Sequence, residues 1–351
     1  MGHAATPVTM RTLAERLGVS VTTVSNAYSK PDRLSPELRD QILATAKELG
    51  YCGPSAAGRA LRSGKTDVCG FLFGGDLSEA FADPYTVTFL SGLSESVERF
   101  GASVLLLRSP GHEEDSESQL LQRAPIDAIV VCSAISEHPA TDLLSQRGVR
   151  VVGAQRSQTG DWVAVNDVKA GRLVGKHLAK LGHERVVVVV PGKTPDNAPF
   201  ELAAKDVAAT CNHFVVERLQ GLTEKLPGAA IRIVCSGMAT RAAGRAAAAL
   251  ALDVQARPTA VVAMSDVLAM GVWEAVAERA LKPGRDVSIA GFDDIPDAGF
   301  VGLTTVRQPT WDKGRLAGRL AMDPDYPQRQ ITLPIELVVR SSTGPAPRTT
   351  K

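Results

Sequence analysis

Residues 8–51 read VTMRTLAERLGVSVTTVSNAYSKPDRLSPELRDQILATAKELGY. Thr9 is placed to cap a short helix whose apolar residues Met10, Leu13, Ala14 and Leu17 fall on one face, and Gly18 supplies the residue that ends it. Ser20 caps a second helix, with Val24 and Ala27 pointing inward and Val21, Thr22, Thr23, Ser25 and Asn26 carrying short side chains outward. Ser35 and Pro36 start a third, with Leu38, Ile42, Ala46 and Leu49 on its inner face and Gly50 closing it. Two helices joined by a tight turn and backed by a third form the helix-turn-helix, which places its second helix in the DNA major groove.

Bulk properties agree with a small DNA-facing module on a larger body. A chain of 351 residues exceeds one ordinary core. The net charge of +1 is uneven: through Lys65 there are nine Lys or Arg against five Asp or Glu, a local +4, and the remainder carries 30 against 33, or −3. That is the asymmetry expected when only the N-terminal part touches phosphates. No apolar stretch reaches membrane-spanning length and no export signal is legible, so a cytoplasmic protein without a membrane partner is expected. Cys52, Cys69, Cys132, Cys211 and Cys235 show no C-x-x-C spacing, and the six histidines form no H-x-x-x-H pair. Neither a disulfide framework nor a metal site is suggested, and no cofactor is implied.

The segment 8–51 resembles the headpiece of the LacI/GalR family of transcriptional regulators, whose pattern runs from a valine-threonine start through A-x-x-A-G-V-S-x-x-T-V-S to L-G-Y. A second resemblance to that family lies in SDVLAMGVWEAVAERALKPGRDVSIAGFDDIPDAGFVGLTTVRQP, residues 265–309. The likeness implies a headpiece over 6–51, a hinge helix over 52–65, an effector-binding and dimerisation domain over 66–343 and a tail over 344–351. The effector domain would resemble a periplasmic sugar-binding protein, with an N-lobe near 66–161 plus 309–327 and a C-lobe near 162–308 plus 328–343. The fold class is therefore an α-helical helix-turn-helix headpiece plus an α/β two-lobed domain of two parallel sheets flanked by helices.

The apolar runs support that architecture on their own. Strand candidates at 68–73, 103–107, 128–132 and 149–153, then at 185–190, 231–235, 260–263 and 286–290, alternate with amphipathic stretches in a βαβ rhythm. Ligands in such sheets bind beyond the carboxyl ends of the strands, and between two lobes this becomes a cleft.

Within the headpiece, Thr22, Asn26 and Val21 can read base edges, since Asn pairs bidentately with adenine and apolar methyls meet thymine. Thr9, Ser20, Thr23, Ser25 and Tyr51 suit phosphate positioning or the headpiece core. In the hinge, Ser55 would cap a helix over 56–62 too short to persist alone, and the resemblance implies that Leu61 wedges the minor groove with Arg59 and Arg62 near phosphates. Gly58, where the family usually has alanine, costs this helix about 1 kcal/mol.

For the effector, the resemblance implies Asp293 as a grip on ligand hydroxyls and Arg218 as a guanidinium entering the cleft, with Ser265, Phe81 and Asp83 at the lobe edges. It usually provides an acid where this chain has Ala154-Gln155-Arg156, and an aromatic shelf near Met238 and Ala239 that is missing here. A sugar or glycoside is the leading effector class, with a nucleoside or purine and a protein co-regulator as alternatives. The acidic run 112–117 reads as a solvated helix start.

Taken together these features predict a repressor, active as a homodimer on pseudo-palindromic double-stranded operator DNA, whose small-molecule effector could induce or corepress. The C-terminal SSTGPAPRTTK offers no heptads for a tetramer. An exported ligand-binding module and a sugar-acting enzyme are the competing classes. The first is opposed by the headpiece, the second by the lack of any acid–base pair, since the adjacent Asp293 and Asp294 point apart on a strand.

Overall fold

Thr9 and Thr12 open the first helix with reciprocal hydrogen bonds, each hydroxyl accepting the other's backbone N–H at 3.3 Å, and the helix runs Met10–Leu17. Gly18 ends it at φ 65°, a left-handed geometry that glycine adopts at low cost. Ser20 Oγ accepts the Thr23 N–H at 3.0 Å to start the helix Val21–Ser29, and Ser35 with Pro36 at the first position starts Pro36–Glu48. Leu13, Ala14, Val24, Ala27, Ile42 and Ala46 form the core of this three-helix unit, sealed by Tyr28 edge-on to Tyr51 at 6.0 Å.

The computed structural model describes residues 8–53, 56–74, 77–108, 121–132, 139–193 and 198–347. The chain divides into two units, Met1–Asp67 and Val68–Lys351. Ser55 and the acidic run 112–117 lie outside the described residues. The hinge segment is a helix over Ala56–Ser63.

The described residues of the larger unit form two sheets. The first contains β1 (Val68–Phe73), β2 (Ser103–Arg108), β3 (Ala128–Val131), β4 (Arg150–Gly153), β5 (Asp161–Val165) and β12 (Gln330–Leu333), ordered β12-β5-β4-β3-β1-β2 and parallel throughout. The second contains β6 (Arg185–Val190), β7 (Phe200–Glu201), β8 (Ala230–Cys235), β9 (Ala260–Ala263), β10 (Ser288–Asp293), β11 (Thr304–Arg307) and β13 (Glu336–Val338), ordered β13-β11-β10-β9-β6-β8-β7. Among the described strands, only the edge strands β7 and β13 run antiparallel to their neighbours. The central strands of each sheet are buried on both faces, which is why β6 reads RVVVVV rather than alternating.

The lobe boundaries differ from the expected ones in three places. Residues 162–165 and 330–333, expected in the C-lobe, belong to the first sheet, where the Asp161 carboxylate takes two hydrogen bonds from Arg329 and locks β5 beside β12. The segment after β12 does not stay in that sheet: Pro334 lacks an N–H for the ladder, and the chain crosses there to β13 of the second sheet. The tail does not begin at 344, because Gly344 N–H donates to Ser288 Oγ and Ala346 N–H to the Leu181 carbonyl at 2.8 Å. Strand β10 also starts later and ends later than the run 286–290, since the Asp286 carboxylate accepts the Lys282 N–H and closes a turn before it. Asp293 therefore stands at a strand's carboxyl end.

Three helix pairs cross through facing glycines. A Cβ on Gly171 would collide with the Arg218 carbonyl, and one on Gly221 with that of Val168, so the helices Asp167–Lys180 and His213–Glu224 approach backbone to backbone. Gly92 and Gly314 do the same for Pro84–Arg99 and Thr310–Met322, and Gly244 and Gly271 for Arg241–Leu252 and Asp266–Glu278.

Candidate DNA-reading helix and inter-lobe cleft

On the helix Val21–Ser29, Val21 is 43% exposed, Thr22 is exposed and Asn26 half-buried, leaving a short-chained outer face. Ser25, expected to point outward, is buried instead, because it flanks the inward line of Val24 and Tyr28. Thr9 and Ser20 spend their hydroxyls on helix caps while remaining exposed, and Thr23 shares its hydroxyl with Ser20 at 2.8 Å. Leu61 on the hinge helix is 91% exposed, and Arg59 and Arg62 lie on the same helix.

Among the described strands the chain crosses between the two sheets three times: after β5 at Asn166–Asp167, after β11 at Gln308–Pro309 and after β12 at Pro334–Ile335. The first two crossings bring side chains to the carboxyl ends of the strands. Arg218 reaches this point from the helix His213–Glu224 and is buried. Its Nε donates to Asp167 Oδ1 at 2.7 Å and its Nη1 to the Met264 carbonyl at 2.7 Å. The guanidinium lies over Phe214 at 4.8 Å and Phe292 at 4.6 Å from the ring centroids, a combination of stacking and forked donation that lysine could not supply. Burial opposes its charge, but Asp167 and Asp293 beside it prevail and raise its pKa.

Asp293 ends β10 at φ 117°, a conformation rare for a residue with a side chain, and Oδ1 accepts from Gln308 Nε2 at 2.7 Å. Burial pushes its carboxyl up to about 7, against the pull of Arg218, and Asp83 from the other lobe adds to the rise. Asp294 is engaged elsewhere, its carboxylate shared by Arg307 and Arg340, both at 2.6 Å, so the two adjacent acids are no acid–base pair. Asp266 is fully buried and accepts from Thr305 Oγ1 at 2.7 Å and the Ile295 N–H at 3.0 Å, fixing the loop that follows Asp293.

The expected effector residues thus separate. Arg218, Asp293 and Asp83 meet electrostatically, although Asp83 also caps Pro84–Arg99 through bonds from Tyr85 N, Thr86 N and Thr86 Oγ1. Ser265 uses its hydroxyl to cap Asp266–Glu278, and Phe81 is 59% exposed on the helix Leu77–Ala82. Asp167, Gln308, Tyr85 and Lys313 were not anticipated. Lys313 had a legible signal, a charge on the inward face shared with Thr310, Gly314 and Ala317; the others depend on which segments cross between lobes. A cavity of about 400 Å³ beside β4, bordered by Arg150, Ser157 and Asp161, lies apart from this cluster, and its Arg150 and Asp161 are committed to Ala321 and Arg329.

A helix-turn-helix followed by a two-lobed domain of the periplasmic-binding type defines a DNA-binding transcriptional regulator rather than an enzyme. Residues 9–53 match the family described as bacterial regulatory proteins, lacI family, and residues 176–343 match the periplasmic binding protein-like domain. An HTH-type transcriptional regulator of Mycolicibacterium smegmatis is 33% identical over 98% of each chain. A solved LacI-family protein from Corynebacterium glutamicum superposes with a TM-score of 0.71 at 27% identity, covering 98% of this chain and all of that one. The lac repressor dimer bound to operator and an anti-inducer shares the fold, with a TM-score of 0.74 at 22% identity over 97% of this chain and 100% of its own. The chain belongs to the LacI family of bacterial regulatory proteins.

Proposed function

We propose that this regulator is a repressor whose operator affinity is set by a hydroxyl-rich small molecule, a sugar or glycoside, held between the two lobes. The observation that carries the reading is the placement of Asp293 at the carboxyl end of β10, beside a fixed Arg218 and opposite Asp83. Two carboxylates facing one another across a cleft repel, and a ligand whose hydroxyls donate to both converts that repulsion into attraction. Arg218, already bonded to Asp167 and Met264, presents its remaining N–H groups and a stacked face rather than a mobile charge.

On the DNA side, Val21, Thr22 and Asn26 read base edges, Thr9, Ser20 and Thr23 position phosphates, and Leu61 enters the minor groove flanked by Arg59 and Arg62. Ser25 supports the reading helix from behind. Two copies act together on a pseudo-palindromic operator, a reading supported by the dimeric operator complex of the lac repressor. The protein acts in the cytoplasm, where its operator is.

The test is thermal unfolding of the full chain against sugars, glycosides and nucleosides, in the wild type and in Asp293→Asn. A ligand at a hundred times its dissociation constant adds about 2.7 kcal/mol of stability. A polyhydroxyl hit that Asp293→Asn abolishes supports the reading. Stabilisation that survives the substitution, or that comes from nucleosides alone, refutes it.

A further inference from the structure

Lys313 lies on the helix Thr310–Met322, only 5% exposed, on the face that packs inward with Gly314 and Ala317. Its Nζ donates to Tyr85 Oη at 3.0 Å and stands 5.7 Å from the centre of that ring. Among the described residues no carboxylate comes within 4.0 Å of it, so this buried ammonium, with three protons to donate, is met by one neutral phenol. Burying a cation that way is costly unless something else completes its shell. The groups around it are those of the cleft: Asp167, Cys132, Arg218 and Asp293 all act on its charge, and the same four act on the Tyr85 phenol.

A second observation lies five residues earlier in the same crossing. Gln308 is 6% exposed, and while its Nε2 holds Asp293, its buried Oε1 has no hydrogen-bond partner among the described residues. A buried amide oxygen without a donor is a rare and costly feature that points to a ligand hydroxyl or N–H. The cleft therefore makes two kinds of demand. Gln308 Oε1 and Asp293 want donors; Lys313 Nζ and the Tyr85 hydroxyl proton want an acceptor, and for an ammonium the strongest acceptor is an anion.

We propose that the effector is an anionic polyol, whose hydroxyls face Asp293 and Gln308 and whose phosphate or carboxylate group is received by Lys313 and Tyr85. The proposal rests on the reading of the cleft as the effector site and narrows its occupant from neutral sugars to their phosphate esters or acids. Lys313 is the specificity-determining group, and Tyr85 holds its ammonium in place.

The test uses the full chain, with inorganic phosphate and acetate as probes of the anion pocket and glucose against glucose 6-phosphate and gluconate as probes of the whole site. Apparent affinities are read from the rise in Tm with concentration. Because phosphate also stabilises proteins generally by exclusion from their surfaces, each response is compared with that of Lys313→Met, which fills the same volume without charge, and of Lys313→Arg, which keeps it. Lys313→Met should weaken the response to phosphate or acetate at least tenfold and Lys313→Arg should retain most of it; the stronger of the two anions identifies the ester or the acid. Tyr85→Phe, a smaller change, should weaken it several-fold. An equal response in Lys313→Met and wild type places the anion elsewhere, the headpiece included, and overturns the proposal, as does a wild type that prefers glucose to both anionic forms. A polyol response lost in Asp293→Asn but indifferent to Lys313 would keep the cleft reading and reject this one.

Discussion

At the scale of single residues, the cleft separates two roles that a sequence presents alike. Arg218, midway along the helix His213–Glu224, and Asp293, at the carboxyl end of β10, both carry charge at the cleft, yet Arg218 is structural before it is anything else. Removing its side chain leaves Asp167, 5% exposed, without its ion-pair partner, and Met264 without its donor. Arg218→Ala should therefore cost about 3–5 kcal/mol of stability in urea titrations, the cost expected when one partner of a buried pair is deleted. A loss below about 1 kcal/mol would mean that Asp167 is reached by water. Asp293 behaves in the opposite sense. Its folded carboxyl titrates at about 7, raised by burial, whereas an unfolded Asp titrates near 3.9. Between those values the unfolded chain has released a proton that the folded chain keeps, so this group's contribution to stability falls as pH rises from about 4 to 7. Asp293→Asn should remove that slope, gaining stability relative to the wild type at pH 8 more than at pH 5. Identical pH profiles of the urea midpoint would place the wild-type carboxyl in water.

Helices and strands were legible to the extent that each carries its own signal. Caps at Thr9, Ser20 and Ser35 and the left-handed Gly18 mark the headpiece without reference to anything distant, and doubly buried strands such as β6 announce themselves by unbroken valines. β5, β7 and the passage from β12 to β13 were not legible, because each depends on a partner far away in sequence: Arg329 for Asp161, Cys235 for Phe200, and the sheet change at Pro334. The glycine crossings were hidden for the same reason. Gly171 reads as a helix-weakening residue until Gly221 is seen opposite, and its absent side chain is what lets the helix bearing Arg218 approach the helix bearing Asp167. Gly171→Ala should thus cost about 1–3 kcal/mol or more by overpacking, despite the better helix propensity of alanine, with the loss read from urea midpoints. A stabilised variant would show that the crossing can open freely. Gly58 on the hinge helix predicts the reverse. It is exposed, and Gly58→Ala should favour the helix by about 1 kcal/mol, tightening operator binding in fluorescence anisotropy by roughly fivefold for each hinge helix that must form on DNA. Unchanged affinity would show that the helix is equally formed without operator.

Across the whole molecule, the two units carry opposite charge and separate chemistry, +3 on residues 1–67 and −2 on residues 68–351. Whatever links them must act as a free energy shared between cleft and operator. If an effector changes operator affinity by some factor, the operator must change effector affinity by the same factor, whichever the sign; couplings of this kind usually lie between about 5-fold and 150-fold. The measurement is a closed cycle: operator affinity with and without saturating effector, and effector affinity with and without saturating operator, all at one salt concentration because phosphate contacts make DNA affinity fall steeply with salt. The two ratios should agree. The cycle should also locate the coupling, because a ligand moves an equilibrium only through its different affinities for the two states. If the hinge helix is the element whose formation the effector biases, Leu61→Ala should weaken operator binding and shrink both ratios together, leaving effector affinity for the free protein unchanged. Full coupling in Leu61→Ala would place the link outside the hinge.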